Sequence, residues 1–258
     1  MGLKRWMAPL LLALSVLAFV AGPAGAQSGQ QGVEASEEHP TAAWAFDLDY
    51  NSRYIWYAIP FSRGPVLQPS VTLHRSKLSF NVWSNLNLTG GDHPRCSEVD
   101  LTAAYDASVG KLSIEPAFAG YLYPNQTGST AMAYVRVAYP LVGNLSVFSE
   151  QTVDVAIFPG AYFGNVGLVL DRPLGGRASW DVSSAVDWAN ALFNQTYVGP
   201  SIGGVSSVQS DVGFTYQMTE HFAIRPHLEV SALLPKRLRQ AALSGTTVNP
   251  GVSFIGSF

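Results

Sequence analysis

The segment from Trp44 to Ala58, WAFDLDYNSRYIWYA, alternates between two kinds of side chain along its whole length. Its even positions are apolar or aromatic except for Ser52. Its odd positions include Asp47, Asp49, Asn51 and Arg53. A period of two is typical of a β-strand with one apolar and one polar face. Because ordinary strands have about 5 to 6 residues, the sequence predicts an unusually long first strand.

The same alternation recurs through the rest of the chain, and no helix-length pattern separates the segments. Six further segments show it clearly: 78–88, 98–106, 112–122, 180–188, 208–216 and 222–234. Five shorter or less regular runs lie near 67–73, 133–139, 145–150, 161–171 and 248–258. Together with the first segment they predict twelve strands, an even number, as a closed barrel with both termini on one side requires.

The composition indicates a surface that does not face water alone. Of 258 residues, 47% are hydrophobic and 13% are charged, whereas a soluble domain has about 25% charged residues. The alternating segments keep charged residues off their apolar faces. We therefore predict an all-β fold, an antiparallel transmembrane β-barrel of about 12 strands whose apolar faces contact lipid. The net charge of −3 gives no indication of nucleic-acid binding.

Three segments are predicted along the chain. Residues 1–26 have a basic start, an apolar core and small residues at the end, which is typical of a secretory signal peptide. Residues 27–42 are polar and lack a period, which predicts a disordered periplasmic leader. Residues 43–258 carry the alternation and form the predicted barrel. This order predicts export through the periplasm to the bacterial outer membrane.

The connections between the predicted strands alternate between short and long. Five are tight: His74 to Lys77, Ser108 to Lys111, Pro140 to Asn144, Arg172 to Ala178 and Gln217 to His221. The other six are mostly longer: Ile59 to Pro65, Thr89 to Ser97, Pro124 to Thr130, Gln151 to Gly160, Ala191 to Ser206 and Pro235 to Thr247. This asymmetry is typical of outer-membrane barrels, which have short periplasmic turns and long external loops.

The chain ends with VSFIGSF, residues 252–258, in which Phe254 and Phe258 share one phase of the alternation. This ending resembles the C-terminal strand of bacterial outer-membrane proteins, whose terminal aromatic residue is read by the barrel-assembly machinery. The run from Asp49 to Trp56 resembles the first strand of a family of small, largely uncharacterised, porin-like outer-membrane β-barrel proteins. That family often has Arg-Gly where this chain has Tyr57 and Ala58. The resemblance implies that Phe254 and Phe258 are an assembly signal, and that the partners are periplasmic chaperones, the assembly machinery and outer-membrane lipid.

Tryptophans on the apolar faces predict the aromatic girdles that flank a lipid-facing band. They are Trp44, Trp56, Trp180 and Trp188. Twelve residues separate Trp44 from Trp56, which is about 40 Å of strand at 3.3 Å per residue. At a strand tilt of about 45° this is about 28 Å in height, close to the roughly 25 Å apolar band of such barrels.

The polar faces of the strands carry the charges that we assign to a lumen. The lumen-facing candidates are Asp47, Asp49, Arg53, Asp100, Glu115, Arg136, Asp187, Asp211, Arg225, His227 and Glu229. Twelve carboxylates lie on these faces: Asp47, Asp49, Glu98, Asp100, Asp106, Glu115, Glu150, Asp171, Asp181, Asp187, Asp211 and Glu229. Three arginines cannot neutralise them in a dry core, since each unpaired buried charge costs several kcal/mol. A hydrated, net acidic lumen would favour cations. The alternative is a packed interior with acids at the rims and a core locked by arginine–acid pairs and Asn and Tyr hydrogen bonds.

The sequence therefore predicts a narrow porin-like channel for small solutes or cations, because twelve strands lie between the filled interior of eight and the aqueous channel of 16 to 18. A plugged structural or surface-binding barrel without transport is the alternative. A lipid-modifying outer-membrane enzyme is the third hypothesis. Since His227 lies on a polar face that an acyl chain in the membrane could not reach, we expect no enzymatic activity. No cofactor or metal site is expected.

One of the long connections, Pro235 to Gly245, predicts a short helix with Pro at its start and Gly at its end. Its three cations are Lys236, Arg237 and Arg239. They would lie near the phosphates of the outer leaflet, with which they could form charge-assisted contacts. The other interpretation is a solvated basic loop.

Overall fold

A computed structural model describes residues 43–89, 95–124 and 128–258. Within these ranges, twelve long strands form one antiparallel sheet. The strands are β1 Ala43–Asn51, β2 Val66–Arg75, β3 Leu78–Asn87, β4 Cys96–Tyr105, β5 Leu112–Leu122, β6 Ser129–Val142, β7 Leu145–Asp154, β8 Tyr162–Gly175, β9 Ala178–Ala189, β10 Gly204–Gln217, β11 Phe222–Leu233 and β12 Thr246–Ser257. After a break at Asp106, β4 continues as the short strand Ala107–Val109. The predicted signal peptide (1–26) and leader (27–42) lie outside the described residues.

Each strand pairs with its neighbours in chain order, and β1 pairs with β12 to close the sheet into a barrel. In this seam Leu48 is opposite Phe254 and Asp49 is opposite Ser253. The main chains of Trp44 and Phe258 exchange two hydrogen bonds of 2.9 and 2.8 Å. The closed antiparallel barrel of twelve strands predicted from the alternation is therefore confirmed.

The connections separate into two ends of the barrel, as predicted. At the turn end the strands are joined by tight turns at 76–77, 110–111, 143–144, 176–177 and 218–221. At the loop end the connections are 52–65, 88–95, 123–128, 155–161, 190–203 and 234–245. Two of these contain short helices, α1 Ala191–Tyr197 and α2 Lys236–Ala241. The predicted helix after Pro235 is confirmed, but it ends at Ala241, before the predicted stop at Gly245. None of the helices formed by the described residues is long and apolar enough to cross a membrane.

The two faces of the barrel wall differ in polarity. The outer face exposes apolar side chains such as Val82, Leu101 and Phe118, each about half exposed. The inner face buries polar side chains, and Asn85 and Asp187 are 0% exposed. This is the reverse of a soluble domain, whose charged residues are mostly exposed, and it is the arrangement of barrels that span membranes.

The first strand is shorter than predicted. It ends at Asn51, and the chain leaves the wall at Ser52, whose hydroxyl donates to Asn249 Oδ1 at 2.7 Å. Residues Ile55–Trp56 and Ile59–Pro60 then pair as a two-residue hairpin. Because a hairpin has the same period of two as a wall strand, the alternation continues past the point where the wall ends. The prediction of one strand over residues 44–58 is therefore wrong.

The seam at Phe258 gives a test of the closure. The Phe258 ring stacks on Phe46 with centroids 6.2 Å apart and meets Phe222 edge-on at 5.6 Å. Deleting Phe258 removes two hydrogen bonds of about 1 kcal/mol each and aromatic contacts of about 0.5–1.5 kcal/mol. We expect the free energy of unfolding to fall by about 2–4 kcal/mol in urea titrations of the protein in detergent micelles. The control Phe254→Ala keeps both hydrogen bonds, and an equal loss in the two variants would contradict this account.

Candidate functional site: the interior of the barrel

The first long connection folds into the barrel at the loop end. Within it, the segment from Tyr54 to Phe61 is here called the inward loop, and its hairpin residues Trp56 and Tyr57 are 4% and 8% exposed. The Tyr57 ring stacks on Phe163 with centroids 3.9 Å apart. Phe163 belongs to β8, six strands from β2, so it lies half-way around the twelve-stranded wall. The inward loop therefore crosses the interior from one wall to the other.

Aromatic side chains surround the inward loop at this end of the barrel. Tyr54 packs on Trp83 of β3 with ring centroids 5.6 Å apart. Trp56 contacts Tyr121 of β5, Phe193 of α1 and Tyr197 of α1 at centroid distances of 6.1, 5.7 and 5.0 Å. These contacts join strands from several sides of the wall into one buried cluster. The half of the interior at the loop end is therefore largely filled by aromatic packing.

Trp56 is thus not a girdle residue, and its assignment to the lipid-facing face is wrong. It lies in the interior cluster because the wall strand ends five residues before it, so the wall's phase no longer applies. The other three tryptophans lie on the outer face. Trp44 is 51% exposed, and Trp180 and Trp188 are partly buried. The indole N–H of Trp188 donates to the hydroxyl of Tyr162 at 3.1 Å.

Two tyrosine hydroxyls tie the inward loop to carboxylates on separate parts of the wall. Tyr54 donates to Glu98 Oε2 of β4 at 2.7 Å, and Tyr57 donates to Glu150 Oε1 of β7 at 2.7 Å. Burial raises the pKa of both hydroxyls above the usual range, and the adjacent carboxylates raise the pKa further. Both tyrosines therefore stay protonated and remain hydrogen-bond donors. They fix the inward loop at two points.

The tip of the inward loop has a strained backbone. Tyr57 and Ala58 have φ angles of 48° and 62°, which lie in the left-handed region that glycine adopts most readily. Such non-glycine residues cost about 1–3 kcal/mol each and persist when their surroundings over-determine them. Here the Phe163 stack and the Glu150 hydrogen bond hold Tyr57 in place.

One charged network lies on the wall formed by β5, β6 and β7. Arg136 is opposite Glu115 on one side and Glu150 on the other. Its Nη1 is 3.2 Å from Glu115 Oε1 and its Nη2 is 2.7 Å from Glu150 Oε2. Because Glu150 also accepts the Tyr57 hydrogen bond, this network connects the wall directly to the inward loop.

A second network lies nearer the turn end, on β9 to β12. The guanidinium of Arg225 pairs with Asp181 and with Asp211, and His227 Nδ1 is 3.1 Å from Asp211 Oδ2. Gly213 makes room for Arg225, because a Cβ at this position would overlap the Arg225 guanidinium. Across the seam, Arg225 and Asp49 are each opposite Ser253, on either side of it. Asp47 follows on the same face of β1.

The remaining candidate residues lie outside these two networks. Asp187 accepts hydrogen bonds from Ser207 and Gln209 at 2.7 and 2.9 Å, and Glu229 accepts one from Asn249 at 3.1 Å. Asp100 is 4% exposed and is opposite Tyr121. Arg53 follows the end of β1 rather than lying within it, and its main-chain N–H donates to Asn249.

Amide side chains complete the inner surface of β1 to β4. The amide of Asn51 donates a hydrogen bond to Gln68 at 3.0 Å, the amide of Gln68 donates to Asn85 at 3.0 Å, and the amide of Asn85 donates to Ser97 at 2.8 Å. Each amide donates to the next residue along the wall, so neutral hydrogen-bonded groups accompany the acids of β1 and β4 on this side of the interior.

Asp154, which is 1% exposed at the end of β7, was not among the predicted inner-face acids. Its carboxylate accepts from Thr130 Oγ1 at 2.5 Å and from the main-chain N–H groups of Ala156 and Phe158 at 2.9 and 3.0 Å. The signal was present, because Glu150, Thr152 and Asp154 share one phase, but the predicted strand ended at 150. Asp106 and Asp171, predicted as inner-face acids, are exposed at the turn end, where Asp171 is opposite the inner acid Asp181.

The inner face as a whole carries far more acids than arginines. The buried or partly buried acids are Asp47, Asp49, Glu98, Asp100, Glu115, Glu150, Asp154, Asp181, Asp187, Asp211 and Glu229. Among the described strands, Arg136 and Arg225 are the arginines that pair with these acids. The interior thus combines arginine–acid locks with a large excess of carboxylates.

Comparison with known proteins supports the fold. The sequence matches no known family model, and it matches no curated protein. Among solved structures, the KdgM porin aligns with a TM-score of 0.51 at 14% identity, over 83% of this chain and 99% of that chain. A structure of the NanC porin aligns with a TM-score of 0.52 at 10% identity, over 83% of this chain and 98% of that chain. At these identities the similarity shows a porin-type barrel fold.

The tie between Tyr57 and Glu150 can be tested on the protein itself. Tyr57→Phe keeps the Phe163 stack and removes a hydrogen bond to a charged group, which contributes about 1.5–3 kcal/mol. We expect the free energy of local opening of residues 54–61 to fall by about that amount, measured by amide hydrogen exchange with mass spectrometry. Tyr139→Phe, on the exposed outer face, is the matched control. Unchanged exchange in Tyr57→Phe would show that the tie does not hold the loop.

Proposed function

We propose that this protein is a narrow porin-like channel of the bacterial outer membrane, with a net acidic lumen that favours small cations and a passage limited by the inward loop. The observation that best supports this proposal is the closed barrel, which is apolar outside and rich in carboxylates inside. Export through the periplasm and insertion by the barrel-assembly machinery, with Phe254 and Phe258 as the signal, belong to the same proposal. A lipid-modifying enzyme is not favoured, because the His227 side chain is hydrogen-bonded to Asp211, inside the barrel.

The charge balance supports the preference for cations. Eleven inner carboxylates against two inner arginines leave a negative excess even where both arginines are paired. A low-dielectric wall focuses such a field along a pore axis. Salt at about 0.15 M screens it beyond roughly 8 Å, a distance comparable with the radius of a narrow pore. Screening therefore weakens the preference without removing it.

Unpaired polar atoms support a hydrated interior below the inward loop. Several buried polar atoms have no hydrogen-bond partner among the described residues: Asp49 Oδ1, Ser183 Oγ, Gln209 Oε1, His227 Nε2 and Ser231 Oγ. Leaving such an atom unsatisfied costs about 1–3 kcal/mol, and internal water is the usual partner in proteins. Water along these side chains would provide a path for hydrated ions.

A plugged barrel without transport is the second candidate, and one observation favours it. The inward loop is buried by aromatic packing and tied to the wall through Tyr54 and Tyr57. If the inward loop does not move, the half of the lumen at the loop end stays closed. The two candidates differ in whether the native barrel conducts, so conductance separates them.

The first channel prediction concerns selectivity. Planar bilayers containing the purified protein should give a cation-selective reversal potential under a KCl gradient. Asp47→Asn/Asp49→Asn removes two negative charges from the lumen and should shift the potential toward zero. The control Asp106→Asn/Glu220→Gln removes the same charge at exposed positions of the turn end and should shift it less. An anion-selective wild type, or equal shifts of the reversal potential in the two variants, would contradict the proposal of an acidic lumen.

The second channel prediction concerns width. Trp56→Ala removes the largest side chain of the inward loop and should raise the single-channel conductance, because it leaves space where the loop crosses the lumen. Trp44→Ala, on the outer face, is the matched control and should leave conductance unchanged. Heat-modifiable gel migration verifies that both variants fold. If neither the wild type nor the folded Trp56→Ala variant conducts, the channel proposal is wrong and the protein is a plugged barrel.

A further inference from the structure

The charged residues on the described loop-end connections are all basic. They are Arg53, Arg63, Arg95, Lys236, Arg237 and Arg239, and no Asp or Glu accompanies them in the described parts of these connections. The six cations lie on the connections β1–β2, β3–β4 and β11–β12. Because β12 pairs with β1, these connections are neighbours around the rim. The described part of this half of the loop end is therefore basic, above an acidic interior.

The helix α2 presents half of these cations in a fixed orientation. Leu238, in the middle of α2, is 0% exposed and packs into the interior aromatic cluster. Lys236, Arg237 and Arg239 are exposed. Arg239 Nη1 donates to the main-chain oxygen of Leu233 at 3.2 Å and also to that of Leu234. A helix anchored in this way differs from a freely solvated loop.

The Arg239 stem is also held against the connection that follows α2. A Cβ at Gly245 would lie 2.9 Å from Arg239 Cβ, so the glycine leaves room for the stem. Among the described residues, none of the three α2 cations forms an ion pair. Their charge is therefore available to a partner outside the protein.

Exposed apolar side chains lie beside these cations. Leu234, Leu243 and Val248 are 39%, 49% and 58% exposed; the first two belong to the connection between β11 and β12, and Val248 belongs to the start of β12. The rim at α2 thus places cations next to apolar surface. A membrane lipid likewise places charged and apolar groups side by side, since its charged phosphate lies above its hydrocarbon chains.

We infer that the α2 rim binds a phosphorylated glycolipid of the outer leaflet, with Lys236, Arg237 and Arg239 on its phosphates and Leu234, Leu243 and Val248 against its acyl chains. This inference rests on the outer-membrane location proposed above. Guanidinium groups bind phosphate through paired charge-assisted hydrogen bonds. Basic residues near an anionic lipid surface each strengthen the attraction. If binding depended on the apolar contacts alone, the lipid would not need its phosphates. If binding depended on the phosphate contacts alone, the phosphate would not need to belong to a lipid.

The test uses the purified full-length barrel in detergent and measures lipid retention by native mass spectrometry. The probes are bis-phosphorylated lipid A, chemically dephosphorylated lipid A and inorganic phosphate. The variant K236Q/R237Q/R239Q removes the three α2 cations. The matched control, R75Q/K77Q/K111Q, removes three exposed cations from the turn end. Conductance of each variant is recorded in parallel.

We expect the wild type and the control to retain bis-phosphorylated lipid A, and the α2 variant to bind it at least about tenfold more weakly. Dephosphorylated lipid A should bind no better to the wild type than to the α2 variant. Inorganic phosphate should not displace the lipid. Equal binding by the α2 variant, an equal loss in the control, or displacement by free phosphate would overturn the inference. Normal conductance beside any of these results would leave the channel proposal intact.

Discussion

The pairing of β1 with β12 is the constraint on which the rest of the structure depends. A strand edge in hydrocarbon would leave its N–H and C=O groups without partners, at several kcal/mol each. Closure removes both edges at once, and the main chains of Trp44 and Phe258 form the last pair of hydrogen bonds. Once the sheet is closed, every residue of a wall strand faces either outward or inward. The alternation along the chain is the direct consequence.

Closure leaves an interior that must satisfy many polar groups. Two arginine networks, one on β5 to β7 and one on β9 to β11, neutralise some of the acids, and hydrogen-bonded amide side chains line part of β1 to β4. The inward loop then brings an aromatic cluster into the loop end of this polar interior. Tyr54 and Tyr57 link the two environments because each combines a packed ring with a hydroxyl bound to a wall carboxylate.

Most of the wall was predictable because its signal is local and repeated. The period of two identified twelve strands, the lengths of the connections identified the two ends, and Pro235 identified the start of α2. The end of β1 was not predictable, because the inward hairpin continues the same period. Trp56 was therefore assigned to the wrong environment. Asp154 was missed because a strand boundary is set by pairing with a neighbour, here Met132, and not by the strand's own composition.

The opposition of Leu48 and Asp49, outward and inward on one strand, is the most direct point at which to test this account. Leu48→Cys and Asp49→Cys, each in a Cys96→Ser background that removes the chain's one cysteine, can be labelled with a water-soluble thiol reagent in membranes permeabilised to reach the periplasmic side. We expect the cysteine at position 49 to react while the one at position 48 stays protected by lipid. Reaction at position 48 with protection at position 49 would contradict it.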